Sequence, residues 1–180
     1  MLREGDTARA VGAVLALYGA ELYGFLLAVI GDRKRVDATY GAACARAPSE
    51  LAAFAETCAL RLVMYAVAHD ELARQGELRR AEATVFLPSD ESPAVRTISR
   101  RPVHQRTVIR ALRVALSRED RVLLILRIDR SLEWKEIALV TLGLRAPRMN
   151  LVRESARLRA RMRVVRDVLA RSAEAHELPR

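Results

Sequence analysis

Basic and amide side chains cluster in the C-terminal third of the chain, in a pattern suited to contacting nucleic acid. An Arg side chain can hydrogen-bond both acceptors of a guanine edge, and an Asn side chain can pair with the edge of an adenine. Further arginines can contact phosphates, which hold a protein in register on a duplex. The cluster therefore predicts a DNA-binding surface, and the alternative is a basic helix face that only solvent contacts. Its members are Arg145, Arg148, Met149, Asn150, Arg153 and Arg157.

A short helix, a turn with glycine and a long helix are predicted around this cluster. Residues 132–141 read LEWKEIALVT and form the short helix, and Gly143 lies in the turn. Pro147 suits the first position of the long helix, which is predicted to end at about residue 172. This order of elements is typical of a helix-turn-helix, whose second helix enters the major groove. The predicted buried stripe of the long helix is Leu151, Leu158, Met162, Val165 and Leu169, with Ser155 filling one step.

The late arginines of the long helix are interpreted differently from the early ones. Arg161, Arg163 and Arg166 lie past the stretch that would reach base edges. We expect them to form a solvated face of an amphipathic helix.

Residue patterns for catalysis or metal binding are missing from the sequence. It contains no paired-carboxylate motif, glycine-rich phosphate loop, nucleophile elbow or zinc-protease motif. The triplet His69-Asp70-Glu71 would point to different faces of a helix. Two cysteines, Cys44 and Cys58, share no metal-ligand spacing with the histidines. We therefore expect no enzymatic activity, no cofactor, no metal and no small-molecule substrate.

The composition favours helices throughout, so we predict an all-α fold of two helical modules joined by a flexible linker. Aromatic residues make up only 4% of the chain, and Ala, Leu and Arg are abundant. Ser117 with Asp120 has the spacing of a helix start. The N-terminal helices are predicted at about residues 8–30, 33–46 and 49–74, the second ending near Pro48 and the third capped by Ser49.

Segment 10–30 is apolar enough to resemble a membrane span. Glu21 interrupts it, and an acidic residue at mid-span would be costly in lipid. We interpret the segment as a buried helix, expect no membrane partner, and predict a cytoplasmic protein.

The charge is unevenly distributed along the chain, with a nearly neutral N-terminal part and a basic C-terminal part. Residues 101–180 carry 19 Lys and Arg against 9 Asp and Glu, a net charge of +10, whereas the net charge of residues 1–100 is −1. Prolines and a polar run mark the stretch between them as a linker. We predict domains at 1–75 and 104–180 joined by linker 76–103, with the basic domain attracted to a polyanion.

The stretch 117–163 resembles the C-terminal DNA-binding region of bacterial RNA polymerase sigma factors of the extracytoplasmic-function group. Shared features are a hydrophobic run like VLLLR, a short helix of the form Leu-x-Trp-x-Glu-Ile-Ala, and an Arg-rich recognition helix. The resemblance implies a transcription initiation factor whose partners are promoter DNA and core RNA polymerase, and it allows an anti-sigma factor as a third partner. Matching residues are Leu132, Trp134, Glu136, Ile137, Ala138, Gly143, Ala156, Arg157, Leu158 and Arg159.

The N-terminal half is similar to the sigma region that binds core polymerase, through LYGFLL at 22–27, Gly31-Asp32-Arg33, Leu60-Arg61 and Tyr65. The resemblance implies that the second helix contacts the polymerase clamp and the third faces the downstream promoter element. Candidate polymerase-binding acids are Glu21, Asp32 and Asp37, with plain solvated surface as the alternative. Candidate contacts to a separated DNA strand are Arg74, Arg79 and Arg80, whose positive charges would attract the phosphate backbone of that strand.

Two other functions remain open at the level of sequence. The family has an acidic pair in the second helix where this chain has Asp37 and Ala38. One alternative is therefore a sigma-like regulator that binds DNA without polymerase. The other is a degenerate protein-interaction module that does not support promoter melting.

Overall fold

The computed structural model describes residues 4–78 and 116–175. Every regular element in these ranges is helical, which confirms the predicted all-α fold. The predicted linker spans residues 76–103, and only residues 76–78 of it are described. Arg79 and Arg80, the predicted contacts to a separated DNA strand, lie outside the described residues. The helices are α1 (Glu4–Ile30), α2 (Arg33–Phe54), α3 (Leu60–Arg74), α4 (Arg118–Leu124), continued by a π-helical segment (Ile125–Asp129), α5 (Trp134–Leu142) and α6 (Arg148–Ala175).

α1 is an apolar helix that packs one face into the core. Phe25, Leu26 and Val29 on that face are fully buried. Within the described residues, Val11–Ile30 is long and apolar enough to cross a membrane, a test that core helices of soluble proteins and signal sequences also pass. Gly31 ends α1 with a φ of +78°, a conformation that glycine adopts without steric penalty.

The predicted break at Pro48 is wrong, because α2 continues through the proline to Phe54. Proline in a helix interior costs about 3 kcal/mol. A buried row at four-residue spacing, Ala43, Ala47 and Leu51, runs across the proline and offsets that cost. Ser49 does not cap α3, and its hydroxyl instead donates to the carbonyl oxygen of Arg46 at 2.9 Å.

α3 is the central helix of the described structure. Seven consecutive residues, Leu62 to Ala68, are buried. A helix exposes one side unless other elements surround it, and here α1, α2 and α5 all pack against α3. The C-terminal helices therefore share a hydrophobic core with the N-terminal ones, and buried residues of both halves form one continuous cluster.

α4 starts where the sequence predicts it. The Ser117 hydroxyl accepts a hydrogen bond from the main-chain N–H of Asp120 at 3.1 Å, as an N-cap does. The following residues Val122 to Leu126 are all buried, and the π-helical segment begins inside this apolar run.

Buried arginines of α4 tie the C-terminal helices to the N-terminal ones. Arg121 donates to the carbonyl oxygen of Val29 at the end of α1, at 2.8 Å. Arg118 donates to the Glu77 carboxylate at 2.6 Å and to the Glu77 carbonyl oxygen at 2.8 Å. Buried charges need such partners because their desolvation is costly. These contacts fix the orientation of α4 on the N-terminal helices.

The shared core predicts that both halves of the chain unfold together. Replacing either Leu26 or Leu126 with Ala, each fully buried, is expected to lower the free energy of unfolding by about 2–5 kcal/mol. Trp134 is the only Trp and lies in the C-terminal half, so its fluorescence reports on that half, whereas far-UV circular dichroism reports on all helices. Leu26→Ala in the N-terminal half should shift the Trp134 transition as far as the dichroism transition.

Leu17→Ala serves as the control, because this side chain is 73% exposed and its truncation should change stability little. A Leu26→Ala protein whose dichroism shifts while the Trp134 transition stays in place would show that the halves fold independently.

Candidate nucleic-acid interface

The predicted helix-turn-helix segment folds as a short helix, a turn and a long helix. α5 begins with a capping box, in which the Glu136 carboxylate accepts from the main-chain N–H of Glu133 at 2.7 Å. Its end at Gly143 has a φ of +90°, which favours glycine there. Pro147 precedes the first residue of α6, and its carbonyl oxygen accepts from the N–H of Asn150 at 2.9 Å. The predicted short helix, turn and long helix are confirmed.

One face of α6 is fixed against the rest of the molecule. Leu158, Met162 and Val165 are buried, which confirms the centre of the predicted stripe. The Ser155 hydroxyl lies 3.2 Å from the carbonyl oxygen of Trp134 and 2.7 Å from that of Leu151, and donates to these acceptors. The buried stripe thus includes one polar step that joins α6 to α5.

A charged pair fixes α6 to the start of α4. Both Nε and Nη2 of Arg161 lie 2.6 Å from the two carboxylate oxygens of Asp120. Burial would raise the pKa of Asp120, but the hydrogen bonds from Arg161 and Ser117 outweigh it and lower the pKa below its ordinary value. Arg161 is therefore a structural contact as well as a surface residue.

The first turns of α6 present their predicted DNA-contacting side chains to solvent. Arg148, Met149, Asn150 and Arg153 are exposed, with Met149 71% exposed. Arg148 and Arg153 form no ion pair with any residue in 4–78 or 116–175. Their guanidinium groups are available to an external acceptor.

Two other predicted contacts are partly engaged within the protein. Arg157 donates to both carboxylate oxygens of Glu154, at 2.8 and 2.6 Å, and this bonding raises the pKa of Arg157. Arg145 lies 3.2 Å from a Glu50 carboxylate oxygen, with its guanidinium 5.1 Å from the ring centre of Phe54. Both arginine side chains remain about 70% exposed, whereas the side chains of their partners Glu50 and Glu154 are each 11% exposed.

Arg74, another predicted DNA contact, is the last residue of α3. Its Nε donates to Asp70 at 3.1 Å, and its side chain is exposed. Asp70 also lines a cleft together with Arg145, in the turn before α6.

Glu21, a predicted polymerase contact, takes part in an internal cluster. Its carboxylate accepts from Arg61 Nε at 3.1 Å and from the Tyr65 hydroxyl at 2.7 Å, with Arg130 at 3.7 Å. Burial would raise the pKa of Glu21, but hydrogen bonds from Arg61 and Tyr65 and the charge of Arg130 lower it below its ordinary value. Three elements, α1, α3 and the segment after α4, meet at this carboxylate.

The other two predicted acids lie on the surface. Asp32 caps α2 by accepting from the main-chain N–H of Arg35 at 3.0 Å. Asp37 accepts from the Tyr23 hydroxyl at 2.7 Å. Both carboxylates are exposed and lie near the start of α2.

A polar cleft of about 390 Å³ lies beside the arginines of α6, between α3, α4, α5 and α6. Glu119, Glu154 and Arg157 line it together with His69. Burial lowers the pKa of His69 to about 4.

No group of three His, Cys, Asp or Glu side chains in the described ranges has the geometry to hold a metal ion.

Sequence reasoning missed the carboxylates that hold these arginines. Glu154 lies three residues before Arg157, a helical spacing that could have indicated the pair. Asp120 and Glu50 lie 41 and 95 residues from their arginines, and no local pattern indicates such partners.

No protein-family model matches the chain. No curated protein matches it in sequence either.

The Glu21 cluster predicts a pH-dependent contribution to stability. Glu21→Gln is expected to lower the free energy of unfolding at pH 7 by about 1 kcal/mol, because it weakens the bonds from Arg61 and Tyr65. Because the folded-state pKa of Glu21 lies below its ordinary value of 4.5, this contribution to stability is present above that pH and is lost as the pH falls through the lowered pKa. Urea titrations between pH 7 and pH 2 should therefore show the two proteins converging in acid.

Glu56→Gln removes the same charge at an exposed position and should change stability at pH 7 by less than about 0.5 kcal/mol. A constant difference between wild type and Glu21→Gln at all pH values would contradict the assignment of this cluster.

Proposed function

We propose that this protein is a DNA-binding transcription factor whose α5-turn-α6 unit reads duplex promoter DNA, and that it acts as a sigma-type initiation factor with core RNA polymerase. The observation that carries the proposal is the exposed, unpaired start of α6. Arg148 and Arg153 lack ion-pair partners within the described residues, while the opposite face of the same helix is fixed in the core.

The dimensions of DNA suit this surface. The major groove is about 12 Å wide and admits one α-helix. A helix that enters with its N-terminus first would bring Arg148 and Asn150 to base edges, and Arg153 one turn later to the backbone. Met149 and Val152 are exposed beside them, and such apolar groups can contact thymine methyls.

The charge distribution supports a polyanionic partner. The net charge of +10 on residues 101–180 attracts DNA before any specific contact forms. Neutralised phosphates release counterions, so affinity should fall steeply as salt rises.

The polymerase part of the proposal depends on the sigma-factor resemblance. Asp32, the N-cap of α2, and Asp37 on α2 are exposed carboxylates, and the resemblance assigns this helix to the polymerase clamp. A cytoplasmic location follows from such a role. An anti-sigma factor would be a further partner.

A second candidate function is a regulator that binds DNA without polymerase. It is favoured by the packing of α5 over α3, the helix that the resemblance assigns to the downstream promoter element. The engagement of Glu21 by Arg61, Tyr65 and Arg130 favours it as well. In this alternative the helix-turn-helix and the N-terminal helices act as one rigid DNA-binding body.

The DNA-binding surface is tested by the double change Arg148→Ala with Arg153→Ala. We expect promoter-fragment affinity to fall at least about tenfold, and the slope of log K against log salt to become shallower by about 1, for the phosphate contact that is lost with Arg153. Fluorescence anisotropy at several salt concentrations measures both quantities.

Arg33→Ala with Lys34→Ala is the matched control, because it removes two exposed positive charges from α2. It should lower affinity by much less. Equal losses for the two double variants, or no change in the first, would contradict a specific interface on α6.

Run-off transcription with purified core polymerase and genomic fragments separates the two candidate functions. A sigma-type factor should support initiation from a subset of fragments, and Asp32→Asn with Asp37→Asn should reduce transcription while leaving fragment binding unchanged. DNA binding without any transcript, together with no core polymerase recovered in a pull-down, would establish the second candidate instead.

A further inference from the structure

The C-terminal half of α6 has an apolar row on its outward face. Val164 is 51% exposed and Val168 is 38% exposed, one helical turn apart, and the exposed Ala160 lies one turn before them. At 3.6 residues per turn, Ala160 and Val164 lie roughly opposite buried Met162, and Val168 lies closer to the core, about one sixth of a turn around the helix from buried Val165. α6 therefore has two apolar sides, of which only one is covered.

Arginines border this outward row. Arg159, Arg163 and Arg166 recur at four- and three-residue spacing along one side of it. They form no ion pair with any residue in the described part of the chain. Residues 159–171 carry five arginines and one acid, Asp167, a net charge of +4. We name Ala160, Val164 and Val168 with Arg159, Arg163 and Arg166 the distal face.

The distal face lies beyond the proposed DNA contacts. α6 has 28 residues, and Val164 follows Arg148 by sixteen residues, about 24 Å along the helix axis. A groove about 12 Å wide accommodates the first turns only. A duplex bound at Arg148 and Asn150 would leave the distal face uncovered from Arg163 onward.

We propose that the distal face is a docking surface for an acidic amphipathic helix of a partner protein. Its apolar row would bury the apolar side of that helix, and its arginines would pair with flanking carboxylates. Phosphates alone would gain nothing from two exposed valines, which disfavours DNA as the occupant. A second copy would bring together two faces that each carry three arginines and no acid, which disfavours self-association.

Synthetic helical peptides test this proposal on the full chain. The first peptide carries a leucine stripe bordered by glutamates, the second replaces the leucines with serines, and the third replaces the glutamates with lysines. Fluorescence anisotropy should show the first binding at least about tenfold more tightly than either of the others.

Variants of the protein locate the binding. Val164→Ser with Val168→Ser should weaken the first peptide about tenfold and leave the second unchanged, since only the first peptide uses the apolar row. Arg163→Ala with Arg166→Ala should weaken both glutamate peptides. Leu17→Ser, at an equally apolar and 73% exposed position on α1, should change neither.

Four results would overturn the proposal. The first is equal affinity for the leucine and serine peptides, which would indicate charge attraction alone. The second is an equal loss in the Leu17→Ser protein. The third is weaker promoter binding by the Val164→Ser, Val168→Ser protein, which would assign the face to DNA. The fourth is a wild-type dimer that this variant dissociates, which would assign it to a second copy. Unchanged thermal unfolding of each variant verifies that the fold is intact.

Discussion

Burial of α3 on all sides is the constraint on which the described structure depends. Burial of Leu62 to Ala68 contributes to the hydrophobic effect, the main driving force of folding. The N-terminal helices are not the only elements that pack against these residues. α5 also packs against α3. The α5-turn-α6 unit is therefore packed against the N-terminal helices, and α6 has a fixed direction relative to them.

Arginine has two roles in this molecule, and whether its side chain is buried or exposed decides which role it has. Arg118 and Arg121 are buried, so each needs a carboxylate or carbonyl partner in the N-terminal half. Arg148, Arg153 and Arg163 keep their hydration at the surface and need no internal partner. The excess positive charge of the C-terminal half thus serves both to attach that half to the N-terminal helices and to present an outward basic surface.

The contact between Arg145 and Glu50 links the proposed DNA surface to the N-terminal helices. Glu50 lies on the part of α2 that continues past Pro48, so the turn before α6 is held by a segment that the sequence predicts as a separate helix start. A change in α2 would move or release Arg145, an arginine of the proposed DNA surface. This link is how the N-terminal half could affect DNA binding without touching the duplex.

The sequence by itself determined the helical class, the cap at Ser117, the turn at Gly143 and the buried stripe of α6, because hydrogen-bonded caps and helical periodicity are local. It also indicated the exposed start of α6, since Arg148 and Asn150 lie off that stripe. Only the tertiary structure decided which arginines are engaged, because Asp120, Glu50 and Glu21 lie 41, 95 and 109 residues from their partners. The tertiary structure also decided that α2 continues past Pro48. The burial of Leu51 in the core outweighs the local tendency of the proline to end the helix.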